Sequence, residues 1–143
     1  MIKYFDIFLI ALITNILFFY IYHTNNLNNY DKYNIFTVFI INLFLFVFLF
    51  LKHDLAIDLI HIFISLNIFL FSFFVKNIKI ILVYIGIIIT ILSYWEIYGK
   101  CPMGRYDNLT RFKNFSKKLD DFYIYAPYIV LGILFFKVYL HYN

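Results

Sequence analysis

Asp54, Asp58, His61, Ser65 and Ser72 stand at offsets of 0, 4, 7, 11 and 18 residues. On an α-helix, at about 100° per residue, these positions fall within about 60° of arc. Two carboxylates, an imidazole and two hydroxyls would then share one seam of an otherwise apolar segment. An imidazole titrates near neutrality, and a neighbouring carboxylate favours its charged form. Asp58 and His61, at i and i+3, are close enough to pair. The chemistry open to such a seam is a proton or cation relay, or a ligand pocket. A metal would find only two or three ligands in Asp-x-x-His, so no metal is expected. The plainer reading is a packing seam, with Asp58 bonded to His61 or to a neighbouring helix.

A second group of reactive types lies between Tyr94 and Arg111. Lys100 and Arg105 flank Cys101 and would lower its thiol pKa. Cys101 is the one cysteine of the chain, so neither an intramolecular disulfide nor a cysteine-rich metal site is open to it. No base or resolving thiol accompanies it, and no catalytic residue is expected. A haem held by His61 or Cys101 is a third reading. His23, His53 and His141 fall near segment ends and supply no second ligand at the depth of His61, so no cofactor is expected.

The elements that position these residues follow from composition. Of 143 residues, 64% are hydrophobic, 24% aromatic and 14% charged, and mean hydropathy is +0.84. A soluble domain averages about 45–50% apolar and about 25% charged residues. A soluble chain this short cannot bury so much apolar surface. The pattern excludes a water-soluble enzyme, a nucleic-acid binder and a disordered tail, and predicts an all-α integral membrane bundle. The 20 Phe and 14 Tyr come with many Ile, Asn and Lys and no Gln, as expected of an A/T-rich bacterial, organellar or large viral genome. Part of the Phe and Ile excess therefore carries no structural meaning.

A hydrocarbon core of about 30 Å takes about 20 apolar residues as a helix. Five segments are predicted to span it, with four as the alternative: 4–22, 35–51, 55–75, 80–95 and 122–140. They form a single transmembrane domain over 1–143. The Asn-rich stretch 23–34 separates the first two, Lys52 to Asp54 the next pair, and Lys76 to Lys79 the third and fourth. A polar, basic loop covers 96–121. The first segment is read as an anchor, because no small-x-small cleavage site follows it. Continuous apolar runs such as 44–51 and 80–89 favour helices over alternating barrel strands. No internal repeat is apparent.

With five spans, the N-terminus, Lys52 and the 96–121 loop share one side, which holds eight of the 12 Lys and Arg. The positive-inside rule puts that side in the cytoplasm. Within the loop, Phe112, Phe115 and Leu119 alternate with Arg111, Lys113, Lys117 and Lys118. That spacing predicts a short basic interfacial helix facing lipid, drawn to anionic head groups by about 1 kcal/mol per basic residue. A solvated loop is the alternative. Asn15, Asn42 and Asn67 are expected to make interhelical hydrogen bonds. Gly86, Thr90 and Ser93 are expected to form a close-packing face, set against the third-segment seam. Lys137 can snorkel to the interface, and Pro127 should kink or start the last helix.

The loop reads Trp95-Glu96-Ile97-Tyr98-Gly99-Lys100-Cys101-Pro102-Met103-Gly104-Arg105-Tyr106-Asp107-Asn108-Leu109-Thr110-Arg111. It resembles the hallmark of a family of small, mainly bacterial polytopic membrane proteins. In these, a Trp-x-Glu-x-x-Gly element runs into Cys-Pro-Leu-Thr-x-Leu-Glu-Asn-x-Leu-Arg. Cys101, Pro102, Asn108 and Arg111 match in place, Asp107 replaces the Glu, and Gly104 stands where the family has Thr. Asp58 and His61 are similar to an Asp and a His on an earlier helix of the family. Similar loops occur in membrane proteins of large DNA viruses. The resemblance implies a bundle of about four helices and assigns no activity. The loop itself is expected to plug the inner end of the bundle, with Glu96 bonded to backbone or to a basic neighbour.

The expected function is therefore a non-enzymatic structural or accessory membrane subunit, in contact with lipid and possessing no nucleic-acid partner. A homo-oligomer or a larger membrane complex is open to it. A small proton or ion transporter using Asp58 and His61 is the alternative.

Overall fold

The computed structural model describes residues 2–98 and 113–143, and the side chains of 2–3, 54–55, 58, 95, 98 and 113–124 lie outside the description. The described residues form five α-helices: α1 (Ile2–Thr24), α2 (Asn29–Leu51), α3 (Asp54–Phe74), α4 (Ile78–Tyr98) and α5 (Lys113–Tyr142). No strand occurs among the described residues. The spans Tyr4–Thr24, Asn29–Leu51 and Tyr125–Tyr142 are long and apolar enough to cross a membrane, and α3 and α4 carry shorter described apolar stretches, Leu59–Phe74 and Ile78–Tyr94.

Local chemistry sets the helix ends. Thr24 and Asn25 donate side-chain hydrogen bonds back to the carbonyls of Tyr20 and Ile21, closing α1. Asn28 caps α2 by accepting from the Asp31 amide, while its own amide donates to the Asp31 carboxylate. This reciprocal pair satisfies an orphan backbone donor at the helix start, the Asp31 N–H, and begins α2 well before the apolar run. The expected break over 23–34 thus shrinks to residues 25–28. At the other end, Lys52 takes a left-handed φ of 52° and donates its amide to Leu49, so two residues suffice to reverse into α3. Asn77 accepts from the amides of Lys79 and Ile80 and starts α4 in the same way as Asn28 starts α2.

The basic segment departs from expectation. No Gly or Pro falls between Lys113 and Ala126, so nothing stops the last helix from extending toward its N-terminus. Lys113, Lys117 and Lys118 occupy the first turns of a continuous 30-residue α5, not a separate interfacial helix. Pro127 sits inside it.

The helices close a ring in the order α1, α2, α3, α5, α4, with α1 against α4. Five elements that alternate in direction cannot ring up with every neighbour antiparallel. The parallel neighbours in this ring are α3 and α5, whose C-terminal ends meet where Lys137 reaches the carbonyls of Phe73 and Val75. Inside the ring are two apolar clusters. One holds Phe18, Ile35, Ile80, Tyr84 and Leu134 toward the α3–α4 turn, and the other holds Ile7, Ala11, Leu45, Leu49, Ile57 and Ile60 toward the N-terminus of α1. The outer faces are also apolar: Ile16, Phe19, Phe36, Leu43, Phe63 and Phe136 are all exposed.

Candidate functional site

A cavity of about 90 Å³ lies where the two clusters meet, near the middle of the helices. Its walls come from α1, α2, α3 and α4, with isoleucines such as Ile10, Ile41, Ile64 and Ile87 the commonest residue type. The polar side chains on the wall are Thr14, Asn42, His61, Ser65, Asn67 and Tyr84. Each is placed by a helix whose own backbone is fully paired, so only side chains offer chemistry to the space.

Several of these groups are committed. The Thr14 hydroxyl donates to the Ile10 carbonyl at 2.8 Å, within its own helix. Asn42 donates to Asn15 Oδ1 at 2.8 Å and ties α2 to α1. The Tyr84 hydroxyl donates to Asn34 Oδ1 at 2.7 Å, tying α4 to α2, with Asn67 Oδ1 at 3.5 Å from the same oxygen. Asn34 is wholly buried, and its Nδ2 has no partner among the described residues.

The third-segment seam divides on inspection. His61 and Ser65 both line the cavity. Ser72 is buried apart from it, donating at 2.6 Å to the Phe69 carbonyl. Asp54 and Asp58 are on α3, but their side chains lie outside the described residues, as does that of Trp95 on α4. Glu96 is exposed near the end of α4 and does not line the cavity. Gly99, Cys101, Pro102, Asp107, Asn108 and Arg111, and the side chains of Lys113, Lys117 and Lys118, also lie outside the described residues.

One expectation fails clearly. Gly86, Thr90 and Ser93 do share a face of α4, but that face is exposed. A Cβ at Gly86 would meet nothing within 4 Å, so no helix packs there. The faces of α4 that meet neighbours carry Ile81, Tyr84, Ile85 and Ile88 instead. Helical spacing identified the stripe correctly and its direction wrongly.

A polar cluster that the motif search passed over gathers at the opposite end from the loop. Asp31 is 1% exposed, and its carboxylate accepts from the backbone amides of Lys76 and Asn77, each at 3.1 Å, as well as from Asn28. It joins the start of α2 to the α3–α4 turn. Lys137 donates to the carbonyls of Phe73 and Val75, both at 2.8 Å, and so caps α3 from α5. The charges of Asp31 and Lys137 attract one another across this turn. At the loop end, Tyr94 donates to Asp6 at 3.3 Å. The available signal for Asp31 was the Asn28-x-x-Asp31 capping pattern. Nothing in the sequence marks Asn34 with Tyr84, because their meeting depends on which helices face each other across the ring.

Among the described residues no three His, Cys, Asp or Glu side chains gather as a metal would require. Comparison with protein-family models, with curated proteins and with solved structures returns no match.

Proposed function

We propose that the chain is a five-span integral membrane protein with a non-enzymatic structural or accessory role. The observation that carries this reading is how the polar side chains are spent. Asn42 serves Asn15, Tyr84 serves Asn34, Asp31 serves a backbone turn and Lys137 serves helix-end carbonyls. The outer faces are dominated by Phe, Ile, Leu and Tyr, and the exposed Thr90 hydroxyl is paired to the Gly86 carbonyl of its own helix. A polar group in hydrocarbon must be paired within the protein, and here pairing holds helices together. α3 and α4 have 21 residues each, which at about 1.5 Å per residue matches a hydrocarbon core of about 30 Å. In this reading the N-terminus and the basic 96–121 segment face the cytoplasm, and lipid is the main partner. Kinship with the loop family named above remains part of the proposal.

A second reading, a small proton or ion transporter, is favoured by one observation: His61 and Ser65 face the central cavity. Purified protein in liposomes loaded with a pH-sensitive dye separates the two. The structural role predicts the permeability of protein-free vesicles, in the wild type and in His61→Ala alike. A proton leak that falls in His61→Ala or Asp58→Asn would replace the structural role by transport.

A further inference from the structure

We propose that the central cavity is a binding site for a small uncharged amphiphile, such as a short alcohol or ketone. Its hydrocarbon body would lie on the isoleucines of α1, α2 and α4, and its oxygen on the α3 wall at Ser65 and Asn67.

The walls are apolar over most of their area and polar at a few converging points, the usual make-up of a small-molecule site. Two polar groups on the wall are uncommitted. Asn67 is 6% exposed, yet its Nδ2 makes no hydrogen bond among the described residues, and neither does Ser65 Oγ. The wholly enclosed donor without a partner among the described residues is Asn34 Nδ2; Ser65 and Asn67 instead face the cavity, where a ligand oxygen could accept from both at once. The described lining carries no Asp, Glu, Lys or Arg, and apart from the His61 imidazole its polar groups are amides and hydroxyls, which suits an uncharged ligand. The volume sets the size. A dry cavity of about 150 Å³ admits benzene, so about 90 Å³ suits a smaller molecule. Such a function goes beyond a structural role, and it stands whether or not protons cross the protein.

The test uses full-length protein in liposomes and butanol carrying a photoreactive diazirine, with adducts mapped by mass spectrometry after irradiation. The expected result is saturable labelling of cavity residues such as Ile64, Ile68 or Ile87, displaced by excess unlabelled butanol. Ser65→Ala and Asn67→Ala should weaken alkanol labelling about tenfold each, the loss of about one hydrogen bond. Both should leave labelling by a diazirine-bearing butane unchanged. Ala11→Leu, which fills the space, should abolish both; helicity measured on each variant confirms that it is folded. Adducts confined to outward residues such as Leu43, Phe63 or Leu66 would overturn the proposal. So would cavity adducts that excess butanol does not displace, or equal labelling of wild type and the two α3 variants by the alkanol.

Discussion

Asp31 accepts from one side-chain amide and from two backbone amides of the α3–α4 turn. Asp31→Asn keeps the shape but removes the charge, and it turns one acceptor into a donor facing a backbone N–H. Hydrogen bonds to a charged group contribute about 1.5–3 kcal/mol, so the variant should lose about that much stability. Reversible unfolding in mixed micelles titrated with dodecyl sulfate would measure it; a loss below about 0.5 kcal/mol, the range of an ordinary surface change, would contradict the clamp. The contrast with Asp58 is instructive. A charge inside an apolar segment draws attention in the sequence, whereas Asp31 stands among Asn and Tyr and looks like loop. Its importance comes from residues 45 and 46 positions away, which sequence spacing does not reveal.

At the scale of the helix, two positions test opposite faces. Asn42 joins α2 to α1 through Asn15, an interhelical bond expected from the sequence. Asn42→Leu should cost about 0.6–2 kcal/mol in the same unfolding measurement, because such bonds in membrane bundles are modest. Gly86 faces outward, where an added Cβ meets nothing. Gly86→Ala should therefore be neutral or stabilising by up to about 1 kcal/mol through helix propensity. A loss of more than about 1 kcal/mol would restore the tight seam that the spacing of Gly86, Thr90 and Ser93 suggested. Helix existence was legible because apolar runs of such length leave few alternatives. Helix ends were less so: Asn28 with Asp31 starts α2 early, and the absence of a breaker before Pro127 lets α5 begin at Lys113. Periodicity puts His61 and Ser65 on one face of α3, and they do share the cavity. The same reasoning could not say which face of α4 turns inward.

Across the whole molecule, the proposed five-span arrangement has one consequence above all: an odd number of spans would put the two termini on opposite sides of the membrane. A ring of five alternating helices needs one parallel neighbour pair, and here it is α3 with α5, with Lys137 at the C-terminal end of α3. Composition made an apolar helical bundle legible, but neighbour order was not, because it is decided by contacts such as Tyr94 with Asp6, which join α4 to α1 across 88 residues. The most direct measurement is labelling from one side of the membrane by an impermeant maleimide. Cys101→Ser removes the one native thiol, and single cysteines then go to exposed end positions, as Lys52→Cys, Asn26→Cys and Asn143→Cys. In sealed, uniformly oriented vesicles, Asn26→Cys and Asn143→Cys should label together from one side, and Lys52→Cys only after the vesicles are opened, or the reverse in inverted vesicles. Labelling of Lys52→Cys and Asn143→Cys from the same side would contradict the five-span account.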